Sequence, residues 1–161
     1  MSELVRIDLT EDERRLMLYG LNEYSGLAQC GKPLLAPIFG ASTIGEFDAL
    51  VYRLRAAIEN EEPLSDLDWA HALLLTEISW GSDLLGAGPE FEIGNIDDEK
   101  ALPLLRSLQY KICNSDRRQL VIDNARYKVE RTERNSRTAG LRGHSFVTFP
   151  SSLARGGASV R

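Results

Sequence analysis

The segment that decides the fold reads SDLDWAHALLLTEISWG over residues 65–81. Ser65 and Asp68 have the spacing of a helix N-cap, and Gly81 is a typical stop, so the segment predicts a helix from Asp66 to Gly81. Its apolar residues lie on more than one side, which is typical of a helix at the centre of a small bundle. The stripe expected to pack inward consists of Leu67, Ala70, Leu74 and Ile78.

The same start signal occurs twice on the N-terminal side. Thr10 with Glu13, and Thr43 with Glu46, have the spacing of a capping box, in which the hydroxyl and the carboxylate each accept from a backbone amide. A helix is therefore predicted after each threonine, and the first should end near Tyr24.

The second of these helices is predicted to end near Asn60, before Pro63. Between the two helices, residues 27–41 contain two prolines and two glycines and are predicted to form a loop. The alternation of apolar and charged residues over 4–9 predicts a short strand. The face of the second helix that should pack on the core consists of Phe47, Leu50, Val51, Leu54 and Ile58.

A further helix should start between Asp97 and Pro103, because proline is tolerated in a first turn. Residues 116–134 suit either one more helix, capped by Asn114 or Ser115, or a hairpin; the helix is favoured. From Asn135 the chain is rich in Ser, Gly and Arg, as expected of a mobile segment. The buried stripe of the 97–113 helix should consist of Leu102, Leu105, Leu108 and Ile112.

Together these elements predict a mostly α fold, a compact bundle of four or five helices with a minor N-terminal strand.

Charge is distributed unevenly along the chain. Up to Ser115 there are 20 acidic and nine basic residues, whereas from Asp116 onward there are four acidic and ten basic ones. The net charges of the two parts are −11 and +6, within a total of −5. This asymmetry predicts an acidic helical domain over 1–115 and a basic tail over 116–161.

The charged N-terminal segment does not resemble a signal peptide, and no apolar run is long enough for a membrane span. The expected location is cytoplasmic. Cys30 and Cys113 are widely separated and belong to no CxxC pair, so they are expected to be free, buried thiols in a reducing compartment.

Several stretches resemble a family of small uncharacterised helical proteins from actinobacteria. They are LSDLDW over residues 64–69, continued by TEI at 76–78, LTEDE at 9–13 with YGLNE at 19–23, and LLRSLQ at 104–109. The similarity covers roughly residues 4–113. It implies a compact helical domain and no particular activity, and residues after Ser115 lie outside it.

The strongest candidate for a ligand site is on the 66–81 helix. Trp69, Glu77 and Trp80 share one face, and a carboxylate between two tryptophans could act as an acid or base or bind a ligand. Asp83, which follows the end of this helix, completes the candidate set. The structural alternative is favoured: both tryptophans belong to the core, Glu77 pairs with an arginine, and Asp83 caps a turn at residues 84–85. The arginines considered for Glu77 are Arg53, Arg55 and Arg106.

No motif indicates catalysis, a cofactor or a metal. The two histidines, His71 and His144, are far apart, no Cys/His cluster occurs, and Gly86-Ala87-Gly88 lacks the context of a phosphate-binding loop. His71 is expected to be a partly buried histidine with its hydrogen bonds satisfied. The sequence leaves catalysis open and favours a non-catalytic role.

The basic tail suggests a second kind of partner. Arginines neutralise phosphates, and nearby aromatic residues can stack on exposed bases, so the tail could bind nucleic acid. Alternatively, it folds back onto the acidic body without any partner. The candidate nucleic-acid-binding residues are Arg117, Arg118, Arg126, Lys128, Arg131 and Arg134.

The function expected first is that of a non-catalytic interaction or regulatory protein. An acidic surface that includes Glu11, Asp12 and Glu13 and the segment 59–68 would contact a basic partner protein. The alternatives are nucleic-acid binding through the tail and small-molecule binding near Glu77 and Asp83. The sequence does not indicate an oligomeric state.

Overall fold

The fold is described from a computed structural model. The structure describes residues 3–88 and 98–125, together with residues 130 and 134. Its elements are β1 (Leu4–Val5), α1 (Glu11–Asn22), α2 (Lys32–Ile38), α3 (Ile44–Glu59), β2 (Leu64–Ser65), α4 (Asp66–Gly81) and α5 (Asp98–Ile112), followed by a helix over residues 115–125, here called α6. The predicted mostly α fold with a minor strand is confirmed. None of the described helices is long and apolar enough to cross a membrane.

The predicted cap of α1 is present in full. The Glu13 amide donates to the Thr10 hydroxyl over 3.3 Å, and the Thr10 amide donates to the Glu13 carboxylate over 2.7 Å. The helix ends at Asn22, two residues before the predicted end, because residues 23–25 tighten into a 3₁₀ turn. A second 3₁₀ segment at Leu27–Gly31 leads into α2.

The prediction of a loop over residues 27–41 is wrong, since α2 lies inside it. Pro33 falls in the first turn, where its missing N–H is no loss, and Pro37 lies one residue before the end. Leu35 and Ala36 face the core and are buried. Proline spacing therefore delimits a two-turn helix here, which accounts for the sixth helix of the bundle.

α3 and α4 have the predicted caps. α3 ends at Glu59 with Asn60 as its C-cap, and α4 spans the predicted residues. The Thr43 hydroxyl accepts from the Glu46 amide, but the Glu46 carboxylate accepts from the amide of Ser42 instead of Thr43. The face of α3 predicted to lie on the core is buried, apart from half-buried Leu50.

The predicted inward stripe of α4 is wrong in its rotation about the helix axis. Of that stripe only Ala70 is buried, while the fully buried face consists of Ala72, Leu75, Thr76 and Ser79. The cause is the close approach of α1: a Cβ atom on Gly20 would lie 3.1 Å from Thr76 Cα. Small side chains on α4 allow the two helices to approach closely. The face of α4 nearest α1 is therefore buried, although other faces carry larger apolar side chains.

The predicted strand over 4–9 is reduced to β1. It pairs with β2 in antiparallel fashion, with Leu4 opposite Ser65 and Val5 opposite Leu64. In the same register the next pair would be Arg6 and Pro63, and proline has no amide to donate. The two chains diverge at that point.

α5 starts within the predicted interval, and Leu105, Leu108 and Ile112 of its predicted stripe are buried. Leu102 is 44% exposed, and Ala101 is buried in its place. α6 is helical as favoured over the hairpin, with the Arg117 amide donating to Asn114 Oδ1 over 2.8 Å. The predicted mobile segment from Asn135 onward lies outside the described residues.

Candidate functional site

A row of depressions follows the seam between α1 and α3 and is here called the α1–α3 groove. The two helices are antiparallel, because Arg14 contacts Glu61 at one end and Asn22 contacts Arg55 farther along. Three depressions follow one another along it, with volumes of about 190, 370 and 400 Å³. From Asp48 to Glu61 the groove is about 20 Å long at 1.5 Å per helical residue. That length suits a helix or an extended segment of a partner protein.

One end of the groove is the fork where β1 and β2 diverge. The extended segment 6–9 forms one wall, and Arg14, Glu61 and Glu62 form the other. Ile58 and Trp69 form an apolar floor, and the Trp69 indole donates to the Val5 carbonyl over 2.8 Å. The ring of Trp69 is thereby fixed across the base of the fork.

Glu61 has a φ of 56°, in the left-handed region. Its amide donates to Ile58 and the Glu62 amide donates to Ala57, which is the Schellman pattern that ends many helices. α2 ends with the same pattern, but there the left-handed position is occupied by Gly40, with a φ of 75°. A side chain at this position costs about 1 kcal/mol relative to glycine. The chain therefore holds a glutamate where glycine is favoured, and this carboxylate faces Arg14.

The centre of the groove carries two tyrosines. Tyr19 and Asn22 lie one turn apart on α1, and Tyr52 and Arg55 lie one turn apart on α3. Arg55 Nη1 donates to Asn22 Oδ1 over 3.1 Å, which bridges the two helices. Tyr52 is 69% exposed, so its ring is available for contact.

The far end of the groove is closed by an ion pair between Lys32 and Asp48, with Nζ and Oδ1 2.6 Å apart. Tyr24 lies beneath it, and its hydroxyl donates to the Leu75 carbonyl over 2.9 Å. Burial raises the pKa of the Tyr24 hydroxyl above its ordinary range. Tyr24 is a structural residue of this wall.

Much of the predicted acidic surface is neutralised within the chain. Glu11 and Asp12 pair with Arg15, while Asp68 accepts two bonds from Arg53, of 2.7 and 2.9 Å. Burial acts to raise the pKa of Asp68, but the bonds from Arg53 and Ser65 outweigh it and lower the value. The acidic residues with no ion pair to a described residue include Asp8, Glu59 and Glu62, all exposed. Asp8 and Glu62 line the fork, and Glu59 lines the neighbouring depression together with Arg55.

Glu13 was predicted to belong to the acidic surface, and this is wrong. It is 1% exposed and accepts from Ser107 Oγ over 2.5 Å and from Lys111 Nζ over 2.7 Å, besides the Thr10 amide. Burial acts to raise its pKa, but these bonds and the Lys111 charge outweigh it, so the pKa lies below its ordinary value. The capping-box signal identified the bond to Thr10. The two α5 partners are more than 90 residues away along the chain, and no local pattern points to them.

The structure does not bring the four predicted ligand residues to one cavity. Trp69 lines the fork, whereas Glu77 lines an apolar depression of about 170 Å³ between α4 and α6. Trp80 is half-buried, and Asp83 is exposed in the turn after α4.

The partner of Glu77 and the residue that caps the turn after α4 both differ from the predicted ones. Glu77 accepts from Gln109 Nε2 over 2.6 Å, so an arginine partner was wrong. The cap at Leu85 is provided by the Ser82 hydroxyl, which accepts from the Leu85 amide over 3.1 Å, rather than by Asp83.

Three of the six predicted nucleic-acid-binding residues lie in the part of the chain that the structure describes. Arg117 is 8% exposed, donates to Asp66 over 2.7 Å and to the Ile112 carbonyl over 2.8 Å, and so packs α6 onto α4 and α5. Arg118 is exposed beside it. Arg134 is exposed on a helical residue, and Arg126, Lys128 and Arg131 lie outside the described residues.

His71 departs from its prediction as a satisfied histidine. It is 3% exposed, and neither ring nitrogen has a hydrogen-bond partner among the described residues. The ring packs edge-on against Phe39, with centroids 5.1 Å apart. Burial lowers the pKa of His71 to about 4, more than the nearby Asp68 charge can offset, so the ring is neutral at pH 7.

Within residues 3–88 and 98–125, no group of His, Cys, Asp and Glu side chains is arranged to hold a metal ion. Cys30 and Cys113 are free, as predicted, but both are exposed rather than buried.

Comparison with known proteins leaves the resemblance to the actinobacterial family as a prediction. No protein-family model, no curated protein and no solved structure matches this chain.

Proposed function

We propose that this chain is a non-catalytic interaction or regulatory protein that binds a basic segment of a partner protein at the fork end of the α1–α3 groove. Asp8, Glu59 and Glu62 would meet lysine or arginine side chains of the partner. An apolar partner residue would enter the cleft of about 190 Å³ above Ile58 and Trp69.

The observation that carries this proposal is the placement of carboxylates at the C-terminal end of α3. The last turn of α3 has no basic residue, and Glu59, Glu61 and Glu62 crowd the negative end of its dipole. Glu61 also occupies a left-handed position suited to glycine. Both features work against local stability, and such conflicts are typical of residues retained for binding.

The proposal predicts which peptides the intact chain selects from a displayed library of random 12-residue sequences. We expect the bound peptides to be enriched in lysine and arginine next to an apolar residue, and to dissociate as salt is raised. A library selection without basic enrichment would contradict the proposal.

A pair of matched double variants locates the binding surface. Glu59→Gln with Glu62→Gln removes two charges from the C-terminal end of α3, and Glu11→Gln with Asp12→Asn removes two from the start of α1. We expect the first pair to weaken binding of a selected peptide at least about tenfold, and the second pair to have little effect. Equal losses would indicate a general charge effect and would argue against this site.

A further inference from the structure

Arg55 lies at the centre of the α1–α3 groove without a carboxylate partner among the described residues. It is half-buried, and the one side-chain bond it makes there is the 3.1 Å contact from Nη1 to Asn22. Arg14, Arg53 and Arg117 each have a carboxylate oxygen within 2.8 Å. Exposed Arg106, by contrast, bonds to the side chain of Gln109. A guanidinium has five N–H donors, so most of the donors of Arg55 remain available in the groove.

The nearest acidic residue on the same helix face does not neutralise Arg55. Glu59 lies one turn farther along α3, at a spacing that suits an ion pair, but the two side chains are not within 4 Å of each other. Glu59 instead shares the exposed end of the helix with Glu62. The groove therefore has an acidic end and, one to two turns away, an arginine that forms no ion pair with a described residue.

The side chains around Arg55 have the composition of an interaction hot spot. Tyr19 and Tyr52 flank it from the two helices and are 38% and 69% exposed. Tyrosine and arginine dominate the energetics of protein interfaces because they offer large contact areas with a polar group at the tip. Leu18 and Val51 form an apolar wall beneath the two tyrosine rings.

We propose that Arg55 binds the carboxylate of an aspartate or glutamate side chain of the partner segment, while Tyr19 and Tyr52 pack against the residues on either side of it. This inference rests on the proposed function, because it assigns a second contact within the same groove. A guanidinium binds a carboxylate through two parallel N–H bonds. Because Arg55 makes only one side-chain bond, to Asn22, it keeps enough N–H groups for such a pair.

The spacing of the two contacts defines the charge pattern of the partner. Arg55 and Glu62 are seven residues apart on or just after α3, about 10 Å along the groove. An extended partner would place its acidic residue about three positions from its basic residues, and a helical partner about seven. The partner is thus a bipolar segment rather than a uniformly basic one.

The same library tests this pattern. A displayed peptide fused at its C-terminus has no free terminal carboxylate, so only an aspartate or glutamate side chain can bind Arg55. We expect the selected peptides to combine basic residues with an aspartate or glutamate at a constant separation. Selection on the Arg55→Gln chain should lose the acidic preference and keep the basic one. Basic peptides without any acidic preference on the unaltered chain would overturn this inference and leave the proposed function standing, whereas loss of the basic preference would overturn the proposed function.

A double-mutant cycle on one synthetic, C-terminally amidated peptide isolates the contact. With the unaltered chain, replacing the acidic residue of the peptide by its amide should weaken binding about tenfold. With Arg55→Gln the same replacement should have almost no effect. An undiminished loss with Arg55→Gln would overturn the assignment.

Two further variants separate binding from folding. Arg106→Gln removes an exposed arginine of α5 that bonds to Gln109, and it should leave peptide affinity unchanged. Arg55→Lys keeps the charge but not the planar fork, so it should recover only part of the affinity. A full recovery would overturn the two-bond geometry. A helical content or thermal midpoint that falls in Arg55→Gln but not in Arg55→Lys would attribute the loss of affinity to folding and would overturn the assignment of a direct contact.

Discussion

The Glu61 carboxylate lies 2.8 Å from the guanidinium of Arg14, and the backbone of Glu61 holds a left-handed φ of 56° to place it there. The two facts oppose each other in energy. A half-exposed ion pair contributes about 0.5 kcal/mol, whereas the left-handed conformation costs about 1 kcal/mol relative to glycine. The contact is therefore a net cost to folding, which suits a residue that serves the groove.

Glu61→Gly should raise the free energy of unfolding by about 0.5 kcal/mol, because relief of backbone strain exceeds loss of the ion pair. Glu61→Ala is the matched control: it loses the ion pair and keeps the strain, so it should lower stability by about 0.5 kcal/mol. Urea denaturation of both variants measures the difference. If glycine destabilises the chain as much as alanine does, the strain at residue 61 is not the deciding factor.

Glu13→Gln should destabilise the fold by about 2 to 3 kcal/mol. The carboxylate is buried and accepts from Ser107, Lys111 and the Thr10 amide. An amide there has one acceptor oxygen and no charge, so at least one of these bonds and the ion pair with Lys111 are lost at a buried position. Glu11→Gln, two residues earlier, loses only an exposed ion pair with Arg15 and should cost less than about 0.5 kcal/mol.

The pH dependence of the Glu13 network follows from the direction of its pKa shift. The pKa of Glu13 is lower in the folded chain than its ordinary value of 4.5, so the unfolded chain binds the proton more readily. The stabilisation is complete above pH 4.5 and is lost as the pH falls through the folded pKa. The stability difference between Glu13→Gln and the unaltered chain should accordingly shrink below pH 4.5 in acid titrations followed by circular dichroism.

Local signals made α4 predictable from residues 65–81, because Ser65 and Gly81 mark its ends within the segment itself. The contacts that decide the site could not be predicted in this way. The Arg55–Asn22 bond joins residues 33 positions apart, and the Lys111–Glu13 bond joins residues 98 positions apart. Periodicity reports which face of a helix is apolar, but the pairing of α1 with α3 and α5 depends on packing throughout the bundle.

The same limit explains the two incorrect predictions about local structure. Pro33 and Pro37 have low helix propensity, so the sequence predicted a loop where α2 lies. Both are tolerated in a two-turn helix whose apolar residues pack on the core. The reduction of the strand to β1 depends on Pro63, which is more than 50 residues away and cannot donate to a longer ladder. Each case is a tertiary contact that overrides a local preference.

Arg117→Ala should lower the free energy of unfolding by about 2 kcal/mol, because it removes bonds to Asp66 and to the Ile112 carbonyl at a nearly buried site. Arg118→Ala, at the exposed neighbouring position, should change stability by less than about 0.5 kcal/mol. Guanidinium denaturation measures both. Equal small effects would show that Arg117 is not a structural contact of α6 and would return it to the candidates for phosphate binding.

His71→Leu should stabilise the chain by about 1 kcal/mol at pH 7, because it removes a buried ring whose nitrogens have no partner in the described part of the chain. It should also remove a pH dependence. The folded pKa of about 4 is below the ordinary 6.5, so the unfolded chain binds the proton first, and stability falls as the pH drops from 6.5 towards 4. The full effect is about 3 kcal/mol.

The pH window distinguishes His71 from the carboxylates. Glu13 and Asp68 have lowered pKa values and titrate below their ordinary 4.5 and 3.8, whereas the His71 contribution changes between pH 6.5 and about 4. The range from pH 6.5 to 4.5 therefore reports His71. Urea midpoints at pH 7.0, 5.5 and 4.5 should decline for the unaltered chain and stay nearly level for His71→Leu. A parallel decline in both would refute the assignment to His71.

Tyr52→Ala and Tyr110→Ala form a matched pair for the α1–α3 groove. Both rings are highly exposed, at 69% and 89%, so neither replacement should lower the free energy of unfolding by more than about 0.5 kcal/mol. Tyr52 flanks Arg55 in the groove, and Tyr110 lies on α5, away from the groove.

We expect Tyr52→Ala to weaken the affinity for a library-selected peptide by at least about tenfold in a fluorescence anisotropy titration. A tyrosine beside an arginine anchor contributes contact area that excludes water from the arginine–carboxylate pair. Tyr110→Ala should bind that peptide as the unaltered chain does. Affinity that depends on Tyr110 and not on Tyr52 would move the binding surface from the groove to α5.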